Sequence, residues 1–255
     1  MAAKQNQRLV IGMMDGMGMP VYRASRMPIL NRMEREGNLF RTVRGIFPSV
    51  TNVNNVSIAC GSWPAEHGIT ANSYFDPELG LAVYMNDARL IRVKTVFQRA
   101  AEWGIKSALL TSKKKTAELF RSGTEICLAA EAPDAAFLFT ADHGMNNKKR
   151  AYDLEKVREI ITGLEGVERV MDSGDAAEEF HTDASRIGDL VVFGDIDTMF
   201  GQMDHPMEAL SDTYRAHGSM HEMELPLIIY NYDPPLPRRE FFNNNLDLTR
   251  FLFRV

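Results

Sequence analysis

The chain has 255 residues, 45% of them hydrophobic, which is enough for one large core or a core with a smaller lobe. A net charge of -5 lacks the basic excess of a nucleic-acid binder, and no apolar run approaches the roughly 18 residues of a membrane span. Two cysteines, Cys60 and Cys127, exclude a disulfide framework and a clustered thiolate metal site.

The N-terminal MAAKQNQRLV has no apolar signal core, so a soluble, cytoplasmic protein with no membrane contact is expected. RLVIGMMDG reads as a buried strand that leaves the sheet at Asp15 and Gly16. MPILNRMEREG places Ile29, Leu30 and Met33 at helical spacing, with Gly37 as a stop. LFRTVRGIFPSV is strand-like up to Pro48, and a helix is expected to start at Thr51 or Asn52. LIRVKTVFQRAAEWG reads as an amphipathic helix closed by Gly104. A strand over IKSALLTS and a short helix over TAELFRSG follow. DAAFLFTADHG reads as a second buried strand, with an Asp-His-Gly exit, and DLEKVREIITGLEG as a helix. DLVVFGDIDTMFG reads as a strand or hairpin, LPLIIYN as a strand and NLDLTRFLF as a closing helix. Strands alternating with helices over the first 145 residues predict an α/β fold, a mainly parallel sheet with helices on both faces. Residues 146–214 are expected to form a smaller α+β cap, and 215–255 to return to the core.

Ligands of such sheets bind beyond the carboxyl ends of strands, where Asp15 and Asp142 are both expected. Asp15 follows an apolar run, and a charge there must leave the core or find a partner. It is equally a turn residue before Gly16. Asp142 and His143 pair an oxygen with an imidazole ligand, suited to zinc or manganese. Thr51 stands near a helix start, where backbone N–H groups favour anions. Read alone, it is also a helix N-cap, and both roles are compatible. Lys113 and Lys115, in TSKKK, can neutralise a small anion, although a run of lysines is more often a solvated face.

The run TNVNNVSIACGSWPAEHGITANSYFD at 51–76 resembles the nucleophile segment of phosphonoacetate hydrolases. These belong to the type I phosphodiesterase and nucleotide pyrophosphatase branch of the alkaline phosphatase superfamily. Asp15-Gly16, TSKKK at 111–115, TADHGMN at 140–146 and AHGSMHEMELPLI around His217 match in the same order. Each motif alone is weak; their ordered set carries the resemblance over most of the chain. It implies a metal-dependent hydrolase of a small phosphonate or phosphate ester, with Thr51 as the nucleophile. By the same resemblance, Asp15, Thr51, Asp142 and His143 ligate one zinc, and His217 a second. Asn72, Lys113 and Lys115 would hold the anionic substrate, and His67 would be structural.

The chain departs from this family at one point. The Asp-x-x-x-His pair that completes the second zinc site is absent, because no histidine here has an aspartate four positions before it. The match breaks near AEAPDAAF, where a helix–strand–helix stretch is missing. One bound ion rather than two is therefore expected, and a rearranged sheet or a homodimeric partner would have to complete the core. A degenerate homologue that binds one metal or an anion without catalysis is the alternative, and a nucleotide pyrophosphatase/phosphodiesterase a further one.

Overall fold

The computed structural model describes residues 8–76, 79–129, 146–147, 150–152, 161, 164–201, 205 and 207–253. Two short helices open the fold, α1 (Met19–Ala24) and α2 (Pro28–Glu36), each with proline in its first turn, where a missing N–H costs nothing. Strand β1 (Leu39–Arg44) leads to α3 (Thr51–Cys60) and the single-turn α4 (Pro64–His67). A hairpin follows, β2 (Ser73–Asp76) with β3 (Leu81–Tyr84). Next come α5 (Val96–Glu102), β4 (Ala108–Thr111), α6 (Lys114–Phe120) and β5 (Ile126–Ala129). The strand pieces β6 (Asn146–Asn147) and β7 (Arg150–Tyr152) precede β8 (Val167–Asp172) and α7 (Ser173–Phe180). The chain ends through β9 (Leu190–Gly194), β10 (Thr198–Phe200), β11 (Met207–Ala209), β12 (Arg215–Ala216), β13 (Glu224–Ile229) and α8 (Asp247–Phe253).

Most sequence expectations for local structure hold, with informative differences. The helix expected over 90–104 starts only at Val96, because Thr95 builds a capping box with Gln98: the Thr95 hydroxyl accepts from the Gln98 N–H at 3.3 Å and the Gln98 side chain accepts from the Thr95 N–H at 2.9 Å. Residues 8–14 carry no strand. Leu9 is 53% and Val10 84% exposed, and no ladder partner lies beside them among the described residues. An apolar run becomes a strand only when a neighbour takes its backbone groups. The expected strand at DAAFLFTADHG lies largely outside the described residues, as does most of the helix at DLEKVREIITGLEG.

The large parallel sheet is likewise not found among the described residues. The strands form several small sheets, in which β4–β5 and β10–β7 are parallel and the other pairs antiparallel. β4 and β5 alternate exposed and half-buried positions, leaving Leu110, Ile126 and Leu128 about half exposed. The inward face, with Leu109, packs on a core of Val56, Cys60, Ile69, Leu119 and Phe120. β1 pairs antiparallel with β13 across nearly the whole chain, from Leu39↔Ile229 to Arg44↔Glu224. Val43, Leu225, Leu227 and Phe242 pack there, and full burial of a side chain such as Phe242 is worth about 1.5–3 kcal/mol. Phe47 packs with Phe180 and Phe193, joining the 167–194 lobe to the segment that leads into α3.

Every residue of α3 is buried, although five of the ten are polar. The Asn54 side chain resolves part of that conflict. Its Oδ1 accepts from the Ile46 N–H and the Asn245 amide, both at 2.8 Å, and its Nδ2 donates to the Ile46 carbonyl at 3.0 Å and the Val50 carbonyl at 3.2 Å. Ser57 is met by His67, which is fully buried. His67 Nδ1 accepts from the Ile69 N–H at 3.1 Å, so Nε2 carries the proton toward Ser57 Oγ at 2.8 Å. Gly61 ends the helix in the left-handed region (φ 64°), where an added Cβ would stand 3.0 Å from the Arg250 nitrogen.

Two outcomes follow from this packing. Asn54→Ala strands the Ile46 backbone groups and the Asn245 amide in the core, and urea denaturation is expected to show a loss of about 2–4 kcal/mol. An unchanged midpoint would mean that water or a shifted neighbour replaces those bonds. Burial also pushes the His67 pKa down to about 3 from 6.5. The unfolded chain then binds a proton below pH 6.5 that the folded chain refuses until about pH 3, so stability falls as pH falls through that window. The His67 contribution from pH 7 to 5 is on the order of 2 kcal/mol. His67→Gln should be less stable at pH 7 yet lose less on acidification, as measured by paired denaturation curves at the two pH values.

Candidate active site at the start of α3

Thr51 is the first residue of α3, not its cap. Val50 occupies the N-cap position in extended conformation and has no side chain able to accept from the first turn. Asn72 supplies that acceptor from outside the helix: its Oδ1 takes the Asn52 N–H at 3.0 Å. The Asn52 side chain in turn donates to the Met85 carbonyl at 2.8 Å, and the Met85 N–H donates to the Asn72 carbonyl at 2.8 Å. Three sequence-distant segments are thereby fixed around the Thr51 turn. Thr51 itself is 8% exposed.

His217 arrives from the other side. Its Nδ1 lies 2.9 Å from the carbonyl oxygen of Ser49, two residues before Thr51. The Ser49 hydroxyl accepts from the Gly218 N–H at 2.9 Å and lies 2.8 Å from the Ser219 carbonyl. Glu222, 3% exposed, accepts from the Ser219 N–H at 2.8 Å and the Ser219 hydroxyl at 2.7 Å.

Asp15 forms an ion pair with Lys113, which precedes α6. Both side chains are 46% exposed, so the pair adds little stability, but it joins a candidate metal ligand to a candidate substrate-binding residue. Lys115 sets its ammonium 3.7 Å from the centre of the Tyr84 ring, a cation–π contact. Tyr84 faces Ser73 across the β2–β3 hairpin, one residue beyond Asn72. The lysine run is solvent-exposed, and two of its members contact Asp15 and Tyr84.

Of the residues predicted from sequence, Thr51, Asn72 and His217 share one neighbourhood, and Asp15 shares another with Lys113. Asp142 and His143 lie outside the described residues. Among the described residues no group of three His, Cys, Asp or Glu side chains converges as a metal cage. The donor types nevertheless suit a divalent ion of zinc's kind: a carboxylate at Asp15, and an imidazole whose other nitrogen is already engaged at His217. Sequence reading missed Ser49 and Glu222. The Ser-x-x-Glu spacing of Ser219 and Glu222 was a legible capping signal, whereas nothing local announced Ser49.

Residues 9–127 match the family model of type I phosphodiesterase / nucleotide pyrophosphatase. An ectonucleotide pyrophosphatase/phosphodiesterase of Caenorhabditis elegans is 28% identical over 140 residues, which are 55% of this chain and 16% of the relative. Venom phosphodiesterase 2 of Crotalus adamanteus is 37% identical over 57 residues, 22% of this chain and 7% of the relative. The matched stretch therefore spans only a small part of these curated relatives. Among solved structures, phosphonoacetate hydrolase from Sinorhizobium meliloti in complex with phosphonoformate superposes with a TM-score of 0.76 at 22% identity, covering 92% of each chain. Murine ectonucleotide pyrophosphatase/phosphodiesterase 5, as an inactive threonine-to-alanine variant with AMP, gives 0.73 at 15% identity over 95% of this chain and 92% of that one. These likenesses show an alkaline phosphatase-like α/β fold. Among the described residues no helix is long and apolar enough to cross a membrane. The chain therefore matches the type I phosphodiesterase / nucleotide pyrophosphatase model over residues 9–127 and has an alkaline phosphatase-like fold.

Proposed function

We propose that this chain is a metal-dependent hydrolase of a small phosphonate or phosphate ester, similar to phosphonoacetate hydrolase, with Thr51 as its nucleophile. The observation that carries the reading is the placement of Thr51 at the first turn of a fully buried helix, with Asn72 bound to that turn and His217 bound to Ser49 beside it. The relative with AMP supports it, since that protein is inactive as a threonine-to-alanine variant.

In this reading Asp15, Thr51, Asp142 and His143 hold one divalent ion, zinc or manganese, and His217 is a ligand toward a weaker second position. A bound ion would stabilise the Thr51 alkoxide and the charge on the phosphoryl oxygens. Thr51 Oγ attacks phosphorus and gives up its proton. For phosphonoacetate the P–C bond breaks, and its electron pair leaves as the acetate enolate, which takes a proton to become acetate. Water then attacks phosphorus, the Thr51–phosphate bond breaks, and Thr51 Oγ regains a proton. Asn72 and the first-turn N–H groups of α3 orient the phosphoryl oxygens. Lys113 and Lys115 balance the substrate carboxylate and the charge on the leaving group.

A nucleotide pyrophosphatase/phosphodiesterase is the second reading, favoured by the family match and the AMP-bound relative. A degenerate binding protein is the third, favoured by the missing Asp-x-x-x-His pair. Phosphate release from phosphonoacetate, set beside product release from a nucleotide ester and an aryl phosphodiester, separates all three.

Thr51→Ala is expected to abolish turnover in a folded protein. Metal analysis after dialysis should find at most one tightly held ion per chain, removed by Asp142→Ala and little changed by His217→Ala. Turnover persisting in Thr51→Ala, or two fully held ions, would overturn this arrangement. Replacing Lys113 or Lys115 by Met should weaken phosphonoacetate binding more than that of an ester with an uncharged tail. Equal effects on the two ligands would assign the lysines to general surface charge.

A further inference from the structure

We infer that Ser49 and Glu222 form a clamp that holds His217 as its Nδ1-protonated tautomer, which makes Nε2 the lone-pair atom of the neutral ring. A carbonyl oxygen carries no proton. The 2.9 Å contact between His217 Nδ1 and the Ser49 carbonyl therefore requires the hydrogen on Nδ1. An imidazole can offer a lone pair to a cation or a proton only from its unprotonated nitrogen, so this one contact decides which ring atom is chemically usable.

The contact is held by more than itself. Ser49 is 1% exposed, and its hydroxyl grips the backbone just after the imidazole. It accepts from the Gly218 N–H at 2.9 Å and donates to the Ser219 carbonyl at 2.8 Å. The chain can turn so sharply there because Gly218 has φ 114°, a value that side chains with a Cβ rarely adopt. Glu222 then fastens the far side of the turn. Its Oε2 accepts from the Ser219 N–H at 2.8 Å and the Ser219 hydroxyl at 2.7 Å, and lies 3.3 Å from the Ser49 hydroxyl. A buried carboxylate with several donors on one oxygen is a rigid anchor. Ser49 and Glu222 touch no reacting atom in this scheme. They are positioning residues that act through His217, and their use in metal binding rests on the reading of His217 as a ligand.

The tautomer is measurable without metal or substrate. In chelator-treated full-length protein labelled with 15N-histidine, the His217 signal is identified by its loss in His217→Ala. With the ring neutral, wild type is expected to show a protonated Nδ1 and an Nε2 shift typical of a lone pair. Ser49→Ala should move the population toward the Nε2-protonated form, and Glu222→Gln, which keeps an acceptor oxygen, should do so less. A wild-type ring protonated on Nε2 overturns the clamp, as does an unchanged tautomer in folded Ser49→Ala. The wild-type spectrum decides the question even where a variant fails to fold. Zinc titration separates this inference from the function proposed above. If His217 is a ligand, His217→Ala removes the weaker component of the isotherm, and Ser49→Ala weakens it about 10–100-fold. If His217→Ala leaves the isotherm unchanged while the tautomer is as expected, the ligand role falls and the clamp stands. If His217→Ala removes that component and Ser49→Ala leaves both it and the tautomer untouched, the ligand role stands and the clamp falls.

Discussion

A helix that buries all ten of its residues while half of them are polar can exist only where the surrounding chain is shaped to meet those side chains. In α3, that requirement recruits residues from far along the sequence. Asn54 joins Ile46 to Asn245, Ser57 meets His67, and Asn52 ties to Met85. One side-chain oxygen, Oδ1 of Asn55, has no hydrogen-bond partner among the described residues. Removing any of the satisfied partners would leave a desolvated donor or acceptor behind, which is costlier than the bond itself is favourable. The helix is thus held in rotation and depth, and so is its first residue, Thr51.

The same logic continues at the helix N-terminus, where the chemistry gathers. Val50 cannot cap α3, and Asn72 takes the Asn52 N–H instead. Ser49 is held by the turn after His217 and in return holds the imidazole. Strand β13 follows directly after Glu222 and Met223, and its antiparallel ladder with β1 brings the C-terminal return next to the segment that leads into α3. Packing distant in sequence therefore delivers the His217 turn to Thr51. The Asp15–Lys113 ion pair and the Lys115–Tyr84 contact are exposed by comparison, and their value lies in placement rather than in stability.

Sheet formation shows where local pattern was insufficient. β4 and β5 are apolar on both faces, as strands of a parallel sheet buried on both sides are, yet one face of the pair is exposed. Residues 8–14 have an equally strand-like pattern and no ladder. Periodicity reports the preference of a segment for a buried, extended state, but the ladder itself depends on a neighbouring strand that the segment does not encode.

By itself the sequence determined the elements whose signals are local: α2 stopped by Gly37, β1 before Pro48, a helix start at Thr51 or Asn52, a short helix over the TAEL segment, and β13, although α6 in fact begins inside the lysine run at Lys114. It also carried the likeness to the type I phosphodiesterase / nucleotide pyrophosphatase family over residues 9–127, because an ordered set of short motifs survives where each alone is weak. It nominated Thr51, Asn72, Lys113, Lys115, Asp15 and His217 from residue type and resemblance. It could not state that Asn72 caps α3, that Lys113 sits on Asp15, or that Lys115 rests on Tyr84. Nor could it find Ser49 and Glu222, whose significance lies in contacts across about 170 residues. Those facts belong to tertiary structure because a hydrogen bond depends on direction and distance, and residues far apart in the chain acquire both only when the core between them has packed.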